Sequence, residues 1–409
     1  MNGRGPERIA LGTFPTPVEP APRLAAALGL PAGRLWVKRD DLTGLGGGGN
    51  KVRKLERTLA AALRDGADCL VTTGAAQSNH ARLTAAAGAR LGLPVTLVLA
   101  GHPAAAGAGR GGNLLLDQIL GARIRWAGEA DDSRLAAVAA EVAAELTAAG
   151  ARPAVIPFGG SNRDGAQAYA DAARELARQL PGEATSVVAV GSGGTMAGLV
   201  AALGPGPVLG VHTGAVAAPA EAVAALAAAV TGRPQDPRAL RLRTDQVGAG
   251  YGRLTEAAAA AIALAARTEG ILLDPTYTGR ALAGLIAAVR DGDLDPSGPI
   301  VFWHTGGLPG LFGHPDAAAL AVAAEIHTLL SRTDRWLPPG PPVDPSHPRR
   351  NNAVMNCRTS PCGFCRNQTS AVRPGRPAAR LAGQPRRPAS RPRMIAVQTV
   401  KPSRPSDTV

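Results

Sequence analysis

Aromatic side chains are scarce in this 409-residue chain: Phe, Tyr and Trp together make up 3% of it. Hydrophobic residues still reach 45%, so the core must be assembled from Ala, Leu and Val, with helices packed closely on sheets. The length suits two domains. No apolar run of about 18 residues is free of charges or turn breakers, so no membrane span is expected. The segment Met1–Pro6 lacks the apolar stretch of a secretory signal, and a cytoplasmic location is expected. Cysteine is rare too, and three of the four, Cys357, Cys362 and Cys365, fall near the end of the chain. A Cys-x-x-Cys pair could hold zinc, but no fourth ligand accompanies it, and no metal is expected.

Acid is missing from one region only. Residues 341–409 hold thirteen Lys and Arg against Asp344 and Asp407, which accounts for +11 of the net +13. The rest of the chain is close to neutral and shows no nucleic-acid footprint. From about residue 336 onward the composition turns to Pro and Arg with few large apolar residues. That reads as a disordered basic tail that binds nucleic acid weakly at most.

What is present is an alternation of strand, loop and helix. Leu35–Lys38, Cys69–Thr73, Pro94–Leu99, Pro153–Pro157 and Ser186–Val190 read as strands; residues 79–91, 134–149 and 164–180 read as helices. The run Ser186-Val187-Val188-Ala189-Val190 is continuously apolar, as in a strand buried on both faces of a parallel sheet. The pattern predicts an α/β protein with open, twisted, mostly parallel sheets flanked by helices. Ligands of such sheets sit beyond the carboxyl ends of the strands, so the loops there carry the functional reading.

The most informative loop is Gly46-Gly47-Gly48-Gly49-Asn50-Lys51. Four glycines allow close approach to something flat or charged, and a desolvated lysine amine is a nucleophile toward carbonyls. A phosphate-binding P-loop needs Ser or Thr after its lysine; Val52 stands there instead, which removes the ATPase reading. In Gln77-Ser78-Asn79-His80, Ser78 is placed to cap a helix, and the free amides of that helix start could bind a carboxylate. Gly191-Ser192-Gly193-Gly194-Thr195 has Met196 where a dinucleotide fingerprint requires Gly, so a single phosphate at a helix start fits better than a dinucleotide, although a plain tight turn remains open. Asp274–Gly279 and His304–Gly307 follow two further segments that read as short apolar strands; alone, Tyr277 reads as a packing residue and His304 as a satisfied interior histidine.

Taken together, these loops resemble the D-cysteine desulfhydrase and 1-aminocyclopropane-1-carboxylate deaminase family of fold-type II pyridoxal-phosphate enzymes, relatives of the tryptophan synthase β subunit. The resemblance spans roughly residues 7–313 and is most specific at Lys38–Asp41, the glycine-rich loop to Lys54, Gln77–His80, Gly191–Thr195, Asp274–Gly279 and His304–Gly307. It implies a homodimer acting on a small amino acid. It also implies a large domain from residues 1–50 and 161–335 and a small one from 51–160. Lys51 is implied to bond the cofactor aldehyde, and Asn79 to contact its phenolic oxygen. Ser192, Gly193, Gly194, Thr195 and Lys54 are implied to hold its phosphate, Thr305 to meet its ring nitrogen and Tyr251 to lie against its ring. Ser78, Asn79, His80, Tyr277 and Thr278 are implied to face the substrate, with Lys51, Ser78 and Tyr277 catalytic. Ring-opening deaminases of the family carry Glu after the active-site Tyr. Thr278 in that place implies the desulfhydrase branch, with L-cysteate sulfo-lyase and the deaminase as alternatives.

Overall fold

The computed structural model describes residues 7–103, 111–295 and 298–322, all of which fall in one unit, residues 1–341. The basic segment and its three cysteines lie outside the described residues.

Ten strands form two sheets. The first has six strands, in the order β1 (Val18–Pro20), β2 (Leu35–Arg39), β10 (Ile300–His304), β7 (Thr185–Val190), β8 (Val208–His212) and β9 (Arg241–Arg243). Only β1 runs antiparallel to its neighbour. The second has four parallel strands, in the order β5 (Arg123–Trp126), β4 (Val95–Ala100), β3 (Cys69–Ala75) and β6 (Pro153–Ile156).

Both sheets bury two faces, and the two-residue period of the strands sorts their side chains. On the six-stranded sheet Val187, Val211 and Phe302 join one apolar cluster with α9 (Glu256–Glu269) and α10 (Thr278–Arg290). Their neighbours Val188, Val208 and Trp303 join another with α6 (Arg163–Gln179) and α7 (Gly194–Leu203). In the smaller sheet Leu70 and Leu97 face α2 (Lys51–Arg64) and α3 (Asn79–Leu91), whereas Val71 and Val98 face α5 (Asp132–Ala148).

Shortage of aromatics is met by close backbone approach. A Cβ on Gly198 of α7 would lie 2.1 Å from the Ala166 carbonyl oxygen of α6, so these helices touch backbone to backbone. One aromatic pair, Tyr169 and Trp303, packs edge to face at 5.8 Å in that same layer.

The apolar segment expected to precede Asp274 as a strand is not one. Ile271 and Leu273 are buried and Leu272 is exposed, yet the segment pairs with no strand. Both sides of β10 are taken by β2 and β7. The Asp274 carboxylate then gathers the N–H groups of Thr276, Tyr277 and Thr278 and turns the chain into α10. Alternating burial without a free sheet edge gives an extended strap rather than a strand.

Candidate active site

The glycine-rich loop is rigidly held rather than loose. Gly46, Gly47, Gly48 and Gly49 all have positive φ, and a Cβ on Gly48 would stand 2.0 Å from the Asp41 carbonyl oxygen. No L side chain fits that path. The buried Arg82 guanidinium donates to the carbonyls of Gly46 (2.7 Å) and Gly48 (3.0 Å). The Thr43 hydroxyl accepts from Gly49 N–H at 2.8 Å, and Asn50 N–H donates to the Thr305 carbonyl at 2.9 Å. The loop is therefore tied to the end of β10 before α2 begins at Lys51.

Lys51 and Lys54, one helical turn apart, share a face of α2. Together with Asn50, Ser78, Asn79, His80, Ser192, Gly193, Thr195, Tyr277 and Thr305, they line one cavity. The cavity thus gathers residues from the carboxyl ends of both sheets. Phe158 and Gly159, in the turn after β6, complete its wall.

The second loop places Ser78 as the cap of α3, its hydroxyl accepting from Ala81 N–H at 3.1 Å. The Asn79 side-chain carbonyl accepts from Asn113 Nδ2 at 3.0 Å, which leaves its NH2 as the group it can offer. His80 points elsewhere. The Thr72 hydroxyl spends its proton on the Ile156 carbonyl (2.8 Å), so it accepts from His80 Nε2 at 2.9 Å. Burial, together with the charges of Lys51 and Lys54, holds this imidazole neutral, well below the usual histidine range. Only the backbone of His80, at the open start of α3, is suited to face a ligand anion.

In the third loop the Ser192 hydroxyl lies 2.8 Å from that of Ser161. Ser161 Oγ also accepts from Lys54 Nζ (3.1 Å) and from Gly194 N–H (3.3 Å). A Cβ on Gly194 would fall 2.8 Å from Lys54 Nζ, and one on Gly159 2.1 Å from Ser192 Oγ, so both glycines are needed for the hydroxyls and the amine to converge. The Asn50 side chain donates to Thr195 Oγ1 at 2.9 Å and locks this loop to the start of α2.

The hydroxyls of Tyr277 and Tyr251 are 2.6 Å apart. Tyr251 does not line the Lys51 cavity but reaches it through Tyr277. Thr278 is not brought to the cavity. It is fully buried, and its hydroxyl donates to Asp274 Oδ1 at 2.6 Å while accepting from Asp274 N–H at 2.8 Å. His304 is satisfied in the interior, between the Leu272 carbonyl and Gly306 N–H.

Charge in the cavity is one-sided. Two amines meet there, and among the described residues no carboxylate lines it. Burial lowers Lys51 to about 8. Burial and the adjacent Lys51 lower Lys54 further. Each amine therefore holds its proton less tightly than a free lysine, and an anion entering the cavity would favour the charged forms. Around it stand the open N-termini of α2, α3 and α7 and the Ser161, Ser192 and Thr195 hydroxyls, the donors a phosphate monoester requires.

A family model described as pyridoxal-phosphate dependent enzyme matches residues 9–306. A D-cysteine desulfhydrase of Klebsiella pneumoniae (strain 342) is 42% identical over 322 residues, covering 75% of this chain and 96% of its own length. The chain belongs to the pyridoxal-phosphate-dependent enzyme family. A solved structure of an ACC deaminase homologue superimposes with TM-score 0.69 and 38% identity, over 77% of this chain and 96% of its own. The processed form of threonine deaminase isoform 2 from Solanum lycopersicum, 20% identical over 78% of this chain and 84% of its own, shares the fold with TM-score 0.54. Pyridoxal phosphate is therefore the cofactor, and the cavity fits it: a nucleophilic lysine stands beside a phosphate cradle that any side chain on Gly159 or Gly194 would fill.

Sequence reasoning missed Asn50, Phe158, Gly159 and Ser161. Asn50 sat in plain view beside Lys51. Nothing local marks Ser161, whose partners Lys54 and Ser192 lie 107 and 31 residues away. Among the described residues no helix is long and apolar enough to cross a membrane.

Proposed function

We propose that the protein is a cytoplasmic, homodimeric D-cysteine desulfhydrase. It would convert D-cysteine and water to pyruvate, hydrogen sulfide and ammonia. The observation that carries this reading is the pair of Lys51 and Lys54 amines beside a phosphate cradle, in one cavity with Ser78, Asn79 and Tyr277. The relatives named D-cysteine desulfhydrase, with their high coverage, support the substrate. The segments 1–50 and 161–335 are taken as the large domain and 51–160 as the small one, each built on one of the two sheets.

In this reading Lys54, Ser192, Gly193, Gly194 and Thr195 hold the cofactor phosphate, with Ser161 orienting Lys54. The Asn79 amide NH2 would meet the phenolic oxygen, and the Thr305 hydroxyl would meet the ring nitrogen. Lys51 would bond the aldehyde, and its amine, whose proton affinity burial has already lowered, would be the group placed to take the Cα proton. When bound, pyridoxal phosphate takes up the electron pair that the departing proton leaves behind. The open start of α3 at Ser78, Asn79 and His80 receives the substrate carboxylate. Tyr277 lines the same cavity, its hydroxyl held neutral by burial and by the neighbouring Tyr251, and can protonate the departing sulfur. Thr278 acts indirectly, by fixing the turn that presents Tyr277.

Purified protein tested with D-cysteine, L-cysteine, L-cysteate and 1-aminocyclopropane-1-carboxylate decides the matter. Sulfide and pyruvate from D-cysteine are expected. Sulfite from L-cysteate, or 2-oxobutanoate from the cyclopropane, in place of sulfide would overturn the assignment. Lys51→Ala should lose both the activity and the yellow absorbance of the cofactor-loaded protein.

A further inference from the structure

Which end of the Asn79 amide is left for the Lys51 cavity is settled by a residue outside that cavity. Asn113 lies at the start of α4 (Gly112–Ile119), fully buried and 34 residues from Asn79. It is not part of the cavity wall. Its Nδ2 donates to the Gln77 carbonyl at 2.9 Å and to Asn79 Oδ1 at 3.0 Å.

Main-chain groups fix the directions of these bonds. A carbonyl only accepts, so the Asn113 atom that meets the Gln77 carbonyl is the nitrogen. A nitrogen there requires an oxygen from Asn79, and the Asn79 NH2 is left over. The Gln77 side chain is oriented in the same way. Asn113 N–H only donates, so Gln77 Oε1 accepts it at 2.9 Å, and Nε2 donates to the Gly111 carbonyl at 3.2 Å. Each of the two amides is thus set by the main chain beside the other, and Asn79 is the last member of the chain. Two glycines make room for it. A Cβ on Gly112, at φ +64, would lie 2.5 Å from Gln77 Oε1, and one on Gly313 would come closer still. Turning any one amide over would set like groups against each other in a place where water cannot relieve them.

We propose that Asn113 is a positioning residue for the cofactor: through its bonds to Gln77 and Asn79 it holds the Asn79 amide with its NH2, rather than its oxygen, available to the phenolic oxygen of pyridoxal phosphate. The inference rests on the role given to Asn79 above and deepens it. Without Asn113 the Asn79 amide is free to turn over and oppose one acceptor with another.

The test is a double-mutant cycle of Asn79→Ala, Asn113→Ala and the double variant. Cofactor-free protein is titrated with pyridoxal phosphate, and the dissociation constant, the position of the visible absorbance band and kcat/KM for D-cysteine are recorded. Asn113→Ala is expected to weaken cofactor binding about tenfold, the share of one oriented hydrogen bond, and to shift the band in the same direction as Asn79→Ala. In the Asn79→Ala background the same substitution should leave the band in place and the dissociation constant within about twofold. Asn113→Asp keeps the shape but, when ionised, only accepts, and should weaken binding at least as much as Asn113→Ala. Leu114→Ala, a buried loss on the next residue of α4, should lower the melting temperature without moving the band, which separates positioning from stability. Unchanged binding and band in Asn113→Ala and Asn113→Asp, with Asn79→Ala altered, overturns this inference and leaves the role of Asn79 standing. Additive losses in the double variant, or an equal band shift in Leu114→Ala, overturn it as well. No effect of Asn79→Ala overturns both. The expected band shifts without turnover of D-cysteine support the positioning and remove the desulfhydrase reading alone.

Discussion

The hydroxyl oxygens of Tyr251 and Tyr277 lie 2.6 Å apart, although the residues are separated by 26 positions in the chain. Burial raises the proton affinity of both phenols, that of Tyr277 the more. Both are thus neutral in the working range, and one hydroxyl of the pair donates to the other. With Tyr251 as donor, the proton of Tyr277 is free to face the Lys51 cavity. Tyr277→Phe is expected to lower kcat about 100-fold and Tyr251→Phe about tenfold, within the usual span of positioned proton donors. Steady-state kinetics on cofactor-loaded variants with unchanged circular dichroism would check this; equal kcat for Tyr277→Phe and wild type would remove Tyr277 from the reaction.

Lys51 titrates near 8 because burial disfavours its charged form. Acylation of Lys51 in the cofactor-free protein, followed by mass spectrometry, should show a midpoint near pH 8 rather than 10.5. Inorganic phosphate should raise that midpoint, since an anion in the cradle favours the ammonium. The sign for stability follows. The folded state binds the proton less tightly than the unfolded one, so the burial penalty is full below about 8 and is relieved as pH rises from there toward 10.5. Lys51→Met should flatten that rise in urea-unfolding experiments on cofactor-free protein.

Gly48 has φ +71, and an added Cβ would meet the Asp41 carbonyl oxygen at 2.0 Å. Gly121 has φ +77, with nothing within 4 Å of its missing Cβ. Gly121→Ala bears conformational strain alone and should cost about 1 kcal/mol. Gly48→Ala must also move the loop, so a cost of about 3 kcal/mol and weaker cofactor binding are expected. Thermal melts and cofactor titration separate the two; equal behaviour would show that the loop relaxes freely.

Glu175 bonds Arg53 and Lys38 beneath the site, at 2.8 and 2.6 Å. Burial pushes its carboxyl up, but the hydrogen bonds and charges of Arg53 and Lys38 prevail and hold it at about 2. Its stabilising contribution is full above the ordinary 4.5 and is lost as pH falls through about 2. Glu175→Gln leaves the buried Lys38 without a carboxylate, while Arg53 keeps Asp40 at 2.9 Å, and should cost about 3 kcal/mol at pH 7. The gap from wild type should close progressively on acidification from pH 5.

Much of the architecture could be read from the chain because its signals are local. The apolar run Ser186–Val190 marked a strand buried on both faces, and Ser78 marked the start of α3, where it does cap. Ile271–Leu273 misled for an equally physical reason. Its apolar content reports burial, but pairing requires a free edge, and β10 offered none. Thr278 misled likewise: adjacency to Tyr277 says nothing about direction, and the Asp274 turn points its hydroxyl inward.

The sequence by itself determined the glycine-only path before Lys51, the one-turn spacing that puts Lys51 and Lys54 on one face of α2, and the alternation that builds two layered sheets. These are properties of neighbouring residues and follow from backbone sterics and helical period. Only the tertiary structure decided that Ser161 meets Lys54 and Ser192, that Tyr251 meets Tyr277, and that the two amines are buried together in a cavity that, among the described residues, no carboxylate lines. Hydrogen bonds and proton affinities depend on distances through space and on exclusion of water. Partners so far apart along the chain leave no mark on the residues between them.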